Sequence, residues 1–108
     1  MTSRQLTEKE VRGRLLKEIH RIVDYWDKVE NRSTYEKLNG LAFSILSMLD
    51  GGYVDLPSFI VAPRPHESDK NFHKDNGENW FPENLNSKIE CDLGGTLHEY
   101  YAKIRKVQ

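Results

Sequence analysis

Apolar residues recur every three or four positions in three stretches of the chain, and this spacing predicts three amphipathic helices. We predict the first helix over residues 8–30, the second over 34–49 and a closing helix over 97–106. Each begins with the pattern of a capping box, in which a Ser or Thr and a Glu three positions later satisfy each other's backbone amides. The three boxes are Thr7 with Glu10, Ser33 with Glu36, and Thr96 with Glu99.

The second predicted helix is apolar over a wide arc, which indicates a central position in the core. The arc consists of Tyr35, Leu38, Leu41, Ala42, Ile45, Leu46, Met48 and Leu49. Beside Phe43, another side of this helix carries the small residues Gly40, Ser44 and Ser47, which would allow a second backbone to approach closely. Two neighbours fit this side: the C-terminal helix or the sheet of the same chain, or a second subunit.

The pattern changes between the second and the closing helix. Residues 58–62 form a short apolar run framed by Pro57 and Pro63, and residues 87–91 alternate between polar and apolar. Both patterns are typical of short strands, which need the helices beside them to be stable. We therefore predict an α+β fold, with a helical hairpin, a small two-stranded β element, a long polar connection and a closing C-terminal helix.

Length and composition favour a single globular domain over residues 1–108. The formal net charge of −1 argues against extensive contact with nucleic-acid phosphates, and the chain lacks the long apolar run of a membrane span. Its single cysteine, Cys91, cannot form an internal disulfide. We expect a cytoplasmic protein of bacterial or phage type, without a cofactor.

The polar connection includes residues 65–82, which are rich in histidine and carboxylate side chains. If part of this stretch were helical, Asp69 and His73 would share one face, and Glu78 could complete a set of ligands for a divalent metal ion. The alternative is a solvated loop without a metal ion, in which His73 acts as a cap or bridges to a carboxylate.

Two adjacent aromatic residues, Trp80 and Phe81, stand out in this polar stretch. Aromatic side chains in a loop either anchor it to the core or contact a partner. We interpret residues 65–82 as an anchored loop that could form the rim of a binding surface.

Two functional hypotheses follow. The preferred one is a non-enzymatic protein-interaction or self-associating module, which binds another protein or forms a homodimer. Its predicted surface consists of Gly40, Phe43, Ser44, Ser47, Trp80 and Phe81. The alternative is a metal- or small-ligand-dependent enzyme with its site in the 65–82 loop, at Asp69, His73 and Glu78. We assign no catalytic residue, because no nucleophile and base occur in a recognisable pattern.

Overall fold

The computed structural model describes residues 3–82 and 89–107, and this part of the chain is helical, without a strand. Its four helices are α1 (Glu8–Lys28), α2 (Thr34–Leu49), α3 (Glu67–Asp75) and α4 (Leu97–Val107). The helical hairpin and the closing helix lie where the periodicity predicts them. The predicted α+β class is wrong, because the described residues contain no β element.

The first predicted strand, 58–62, is an extended segment with no strand beside it in the described part of the chain. The backbone N–H of Phe59 donates to the carbonyl of Leu49, at the end of α2, over 2.8 Å. Ile60 and Val61 are 82% and 78% exposed. The apolar run therefore buries little surface.

The second predicted strand, 87–91, lies partly outside the described residues, and its described part, 89–91, is irregular. A strand requires a neighbour for its backbone N–H and C=O groups. Pro57 and Pro63 also remove two potential donors from the first segment. An apolar run between prolines was therefore too weak a signal for a sheet.

The chain divides into two compact units, which we describe separately. One consists of Met1–Phe59 and Asp92–Gln108 and contains α1, α2 and α4; the other is Ile60–Cys91 and contains α3. The expectation of a single domain stays a prediction.

The start of α1 is fixed by the predicted capping box. The backbone N–H of Glu10 donates to the Thr7 hydroxyl at 3.2 Å, and the Thr7 N–H donates to the Glu10 carboxylate at 3.1 Å. Arg4 donates two further hydrogen bonds to the same carboxylate, at 2.7 and 2.8 Å. These bonds, with that of Arg4 the largest cause, lower the pKa of Glu10 to about 2.

The limits of α2 also agree with the local sequence signals. Ser33 and Glu36 form a reciprocal capping box with distances of 3.0 and 3.1 Å. The hydrogen bond from the Ser33 backbone N–H is the main cause that lowers the pKa of Glu36. The helix ends where Gly51 adopts a φ of 90°, a left-handed conformation that glycine allows at little cost.

The core of the first unit is small, and α1 contacts both α2 and α4. Met48 is its one fully buried large side chain among the described residues. The buried cluster consists of Leu15, Ile22, Met48, Leu56 and Leu93. Two of these leucines lie outside the helices, so connecting segments close the core where a sheet was predicted.

A buried histidine joins α4 to α1. His20 is 4% exposed, and its ring stacks on that of Tyr101 with 3.8 Å between the ring centroids. Its Nε2 lies 2.9 Å from the Tyr101 carbonyl oxygen, which can only accept, so Nε2 donates this hydrogen bond. His20 therefore has a packing role that the sequence analysis did not identify, although it lies beside the apolar positions of α1.

The helix α3 lies inside the predicted polar connection and was missed as an element. His66 caps it, because its Nδ1 accepts a hydrogen bond from the Ser68 backbone N–H at 3.2 Å. Acidic residues lie in its first turn and basic residues in its last. This charge order complements the helix dipole. Gly77, with a φ of 68°, follows the end of the helix.

Candidate functional site

The small-residue side of α2 is occupied by α1. The indole ring of Trp26 lies directly over Gly40, so that a Cβ atom added there would lie 2.7 Å from Trp26 Cζ3 and closer still to its neighbours. The indole Nε1 donates a hydrogen bond to the Ser44 hydroxyl at 3.0 Å. Gly40 and Ser44, two members of the predicted interaction surface, therefore contact the same chain. Their neighbour is α1, and not the C-terminal helix or a sheet.

A different side of α2 is exposed and apolar. Tyr35, Leu38, Phe43 and Leu46 are 76%, 60%, 73% and 61% exposed. Ala42 is exposed between them. We call these five residues the α2 apolar face. Except for Phe43, all of them belong to the arc that was predicted to form the core, and that part of the prediction is wrong.

The apolar arc of α2 is thus divided along its length. One half packs against the buried cluster and consists of Leu41, Ile45, Met48 and Leu49. The other half lies on the α2 apolar face and is exposed. The predicted core arc is therefore only half buried.

The α2 apolar face carries no charge along most of its length. No Asp, Glu, Lys or Arg occurs between Lys37 and Asp50, although 31% of the whole chain is charged. An exposed helix face normally carries charged residues that keep it in water. A surface of this composition favours contact with another apolar surface.

A shallow depression lies at the C-terminal end of the same face. It is lined by Phe43, Leu46, Ser47, Asp50, Gly51 and Gly52. Phe43 and Ser47, two further members of the predicted interaction surface, therefore lie together beside the end of α2.

The second unit has its own pocket beside α3. The pocket has a volume of about 290 Å³ and is lined by Pro63, Arg64, Pro65, Asp69, Lys70, His73, Trp80 and Phe81. Lys74 Nζ lies 5.1 Å from the centre of the Trp80 ring, in a cation–π contact. Trp80 and Phe81 are 43% and 64% exposed. Within this unit the aromatic pair therefore packs beside α3 and keeps part of its surface in solvent.

The predicted metal ligands lie near one another. Asp69 and His73 are one turn apart on α3, and both line the pocket. His73 Nδ1 is 3.3 Å from Glu78 Oε2. No three His, Cys, Asp or Glu side chains in the described ranges are grouped so that they could hold one metal ion. The contact between His73 and Glu78 is the carboxylate bridge that a solvated loop would also allow, and the metal site stays a prediction.

The remaining candidate side chains are dispersed. His66 caps α3, and His98 is exposed on α4 at 3.9 Å from Glu99. Cys91 is exposed in an irregular segment. None of these contacts gives a nucleophile oriented by a base.

Comparison with protein-family models, with curated proteins and with solved structures finds no match to this chain. Among residues 3–82 and 89–107, no helix combines the length and the apolar character needed to cross a lipid bilayer.

Proposed function

We propose that this protein is a protein-interaction module that binds its partner through the α2 apolar face. The observation that carries the proposal is the exposure of four large apolar side chains, Tyr35, Leu38, Phe43 and Leu46, on one well-formed helix. The partner surface must itself be apolar, because the face has no charge or buried polar group with which to recognise a charged ligand.

The size of the face supports this proposal. Its large side chains expose on the order of 500 Å² of apolar surface, near the upper end of what a monomeric protein normally leaves uncovered. Covering such an area would contribute roughly 10 kcal/mol before the costs of association are subtracted. Those costs consume much of the gain, so the expected complex is reversible.

Site-specific photo-crosslinking tests the proposal. A photoreactive phenylalanine analogue replaces Phe43 in the full chain, expressed in cells of the source organism, and replaces Tyr25 in a control. Tyr25 is a suitable control because it is also aromatic and 62% exposed, but lies on α1. We expect an adduct from position 43 alone, which Leu46→Ser removes. Equal adduct yields from the two positions would contradict a specific surface.

The pocket beside α3 supports a second candidate function, binding of a small ligand by the 65–82 stretch. The observation in its favour is the convergence of Asp69, His73 and Trp80 on one cavity, whose volume of about 290 Å³ is close to the lower limit for ligand pockets. Native mass spectrometry of the purified protein tests it. A retained mass that is lost in His73→Ala and kept in His98→Ala would support a ligand site; no retained mass in any of the three proteins would count against it.

A further inference from the structure

Two pairs of apolar positions in α2 are centred on Ala42. Leu38 and Leu46, both on the α2 apolar face, lie four residues before and after it. Tyr35 lies seven residues before it, and Leu49, which is half-buried and also packs against the core, lies seven residues after it. Steps of four and seven residues return to the same side of a helix. The two exposed leucines are therefore placed symmetrically on this side of the helix, with the small residue Ala42 midway between them.

We infer that the partner of the α2 apolar face is a second copy of this chain, with the two α2 helices antiparallel about a two-fold axis at Ala42. The inference rests on the proposed function and names its partner. The axis brings Leu38 of one copy level with Leu46 of the other. Both leucines are exposed to the same extent, 60% and 61%, so each has surface available for this contact.

A two-fold interface must be complementary to itself, since the same surface occurs on both sides. A charged side chain near the axis would lie close to the same side chain of the other copy, and the two like charges would repel each other. Residues 38–49 contain no charged side chain, so the face can meet its copy without this cost. At the axis, the methyl group of Ala42 lets the two helices approach closely.

The depression beside the face has a matching projection. Tyr35 is 76% exposed, and the two-fold axis brings it level with Leu49 of the other copy. At that level its ring lies beside the depression, which Leu46 and Gly51 help to line. Each copy therefore inserts one tyrosine and receives one, as an aromatic anchor in a pocket.

The available area places the proposed dimer among small interfaces. Two faces together would bury roughly 1,000 Å² of surface, which is at the lower limit for a specific interface. We therefore expect a reversible dimer with a dissociation constant on the order of ten micromolar.

Paired charges test the antiparallel arrangement by sedimentation velocity. Leu38→Glu alone or Leu46→Lys alone places a charge against a leucine, and each should weaken the dimer at least about tenfold. The double variant pairs Glu with Lys across the axis, and it should recover the wild-type constant to within about threefold. The two positions are about 12 Å apart within one helix, so an ion pair inside one copy cannot account for the recovery.

Disulfide formation tests the position of the axis. In a Cys91→Ser background, Ala42→Cys places the two thiols together at the axis, and the protein should oxidise rapidly to a covalent dimer. Ala102→Cys is the matched control, because it is also an exposed alanine on a helix, α4. We expect Ala42→Cys to form the dimer at least about tenfold faster than the control.

Three outcomes are distinguishable. Recovery in the double variant together with fast oxidation of Ala42→Cys supports the inference. A dimer that each single charge weakens, but that neither the double variant restores nor Ala42→Cys traps, overturns the antiparallel arrangement and leaves the proposed function intact. A wild-type protein that stays monomeric up to about 1 mM, a hundredfold above the expected constant, overturns the second copy as partner. The photo-crosslinking at position 43 then tests the proposed function separately, because it detects a partner other than a second copy.

Discussion

On α2, the side whose composition is typical of an intermolecular contact is covered by the same chain, and the side whose composition is typical of a core is exposed. The side with small residues, Gly40 and Ser44, has the composition of an intermolecular contact, yet Trp26 of the same chain covers it. The side with Leu38 and Leu46 has the composition of a core, yet it is exposed. A helix that is apolar around most of its circumference does not specify by itself which side becomes the interior.

One residue of the neighbouring helix, Trp26, fits the covered side in particular. Trp26 needs both a surface without side chains for its ring and an acceptor for its indole N–H. Gly40 supplies the space, and Ser44 supplies the acceptor one turn later. Helix α1 packs on this side of α2, and α4 packs on α1. Within the described residues, no helix of the same unit therefore covers the opposite edge of the arc.

The largest expected effect comes from deleting a side chain on the covered side. Trp26→Ala removes a half-buried ring and leaves a cavity over Gly40, which should lower the free energy of unfolding by about 3 kcal/mol. Leu46→Ala, on the exposed side, should change it by no more than about 0.5 kcal/mol. Chemical denaturation at low micromolar concentration, below the dissociation constant expected for the proposed dimer, measures both. Equal losses in the two variants would mean that the two sides do not differ as described.

A pair of glycines gives a sharper test with a smaller effect. A Cβ atom at Gly40 overlaps the Trp26 ring, whereas one at Gly13, in α1, has no atom within 4 Å. Gly40→Ala should therefore destabilise the protein by a net amount of about 1 kcal/mol, despite the better helix propensity of alanine. Gly13→Ala should stabilise it by up to about 1 kcal/mol. Thermal unfolding of both variants checks the opposite signs, and stabilisation by Gly40→Ala would show that the ring moves aside freely.

The helices of the first unit could be predicted from the sequence because several local signals agree in each. The capping boxes at Thr7 and Ser33 and the glycine stop at Gly51 supplement the apolar periodicity. The strand at 58–62 had only an apolar run in its favour, and strand formation depends on a distant partner that local sequence does not specify. The helix α3 has no apolar stripe, and its charge order is a weak signal on its own.

The candidate site could be predicted only in part. Phe43 was identified and is exposed, and Asp69, His73 and Trp80 line one pocket as a site in that stretch would require. The contact of Trp26 with Gly40 could not be read from either helix alone, because it depends on how α1 and α2 are rotated about their axes. The large ring of Trp26 and the missing side chain of Gly40 predict a contact only when the two helices are considered together.

A moderate effect is expected from the hydrogen bond on the covered side. Ser44→Ala leaves the Trp26 Nε1 proton without its acceptor at 3.0 Å, which should cost about 1 kcal/mol of unfolding free energy. In Trp26→Phe, where no indole N–H is present, the same serine substitution should cost less. A double-mutant cycle of these substitutions measures the coupling, and a coupling energy near zero would show that the bond contributes nothing.

The smallest effect is a local response of α2 to acid. The capping box lowers the pKa of Glu36, with the Ser33 backbone N–H as the main cause, from an ordinary value of 4.5. A carboxyl group whose pKa is lower in the folded protein stabilises the fold above that ordinary value, and this contribution is lost as the pH falls through the folded-state pKa. Below pH 4.5, the first turn of α2 should therefore fray while the turns around Gly40 stay helical.

Backbone chemical shifts, followed by NMR from neutral to acid pH, measure this fraying residue by residue. Ser33→Ala is the control: it removes the hydroxyl acceptor of the box, so the first turn should be partly frayed already at neutral pH. Titration of Glu36 at its ordinary value in the wild-type protein would contradict the prediction. Because Tyr35 projects from this turn, acid should loosen one end of the exposed face and leave the Trp26 contacts unchanged. The two sides of one helix would then differ in their response to pH as well as in their packing.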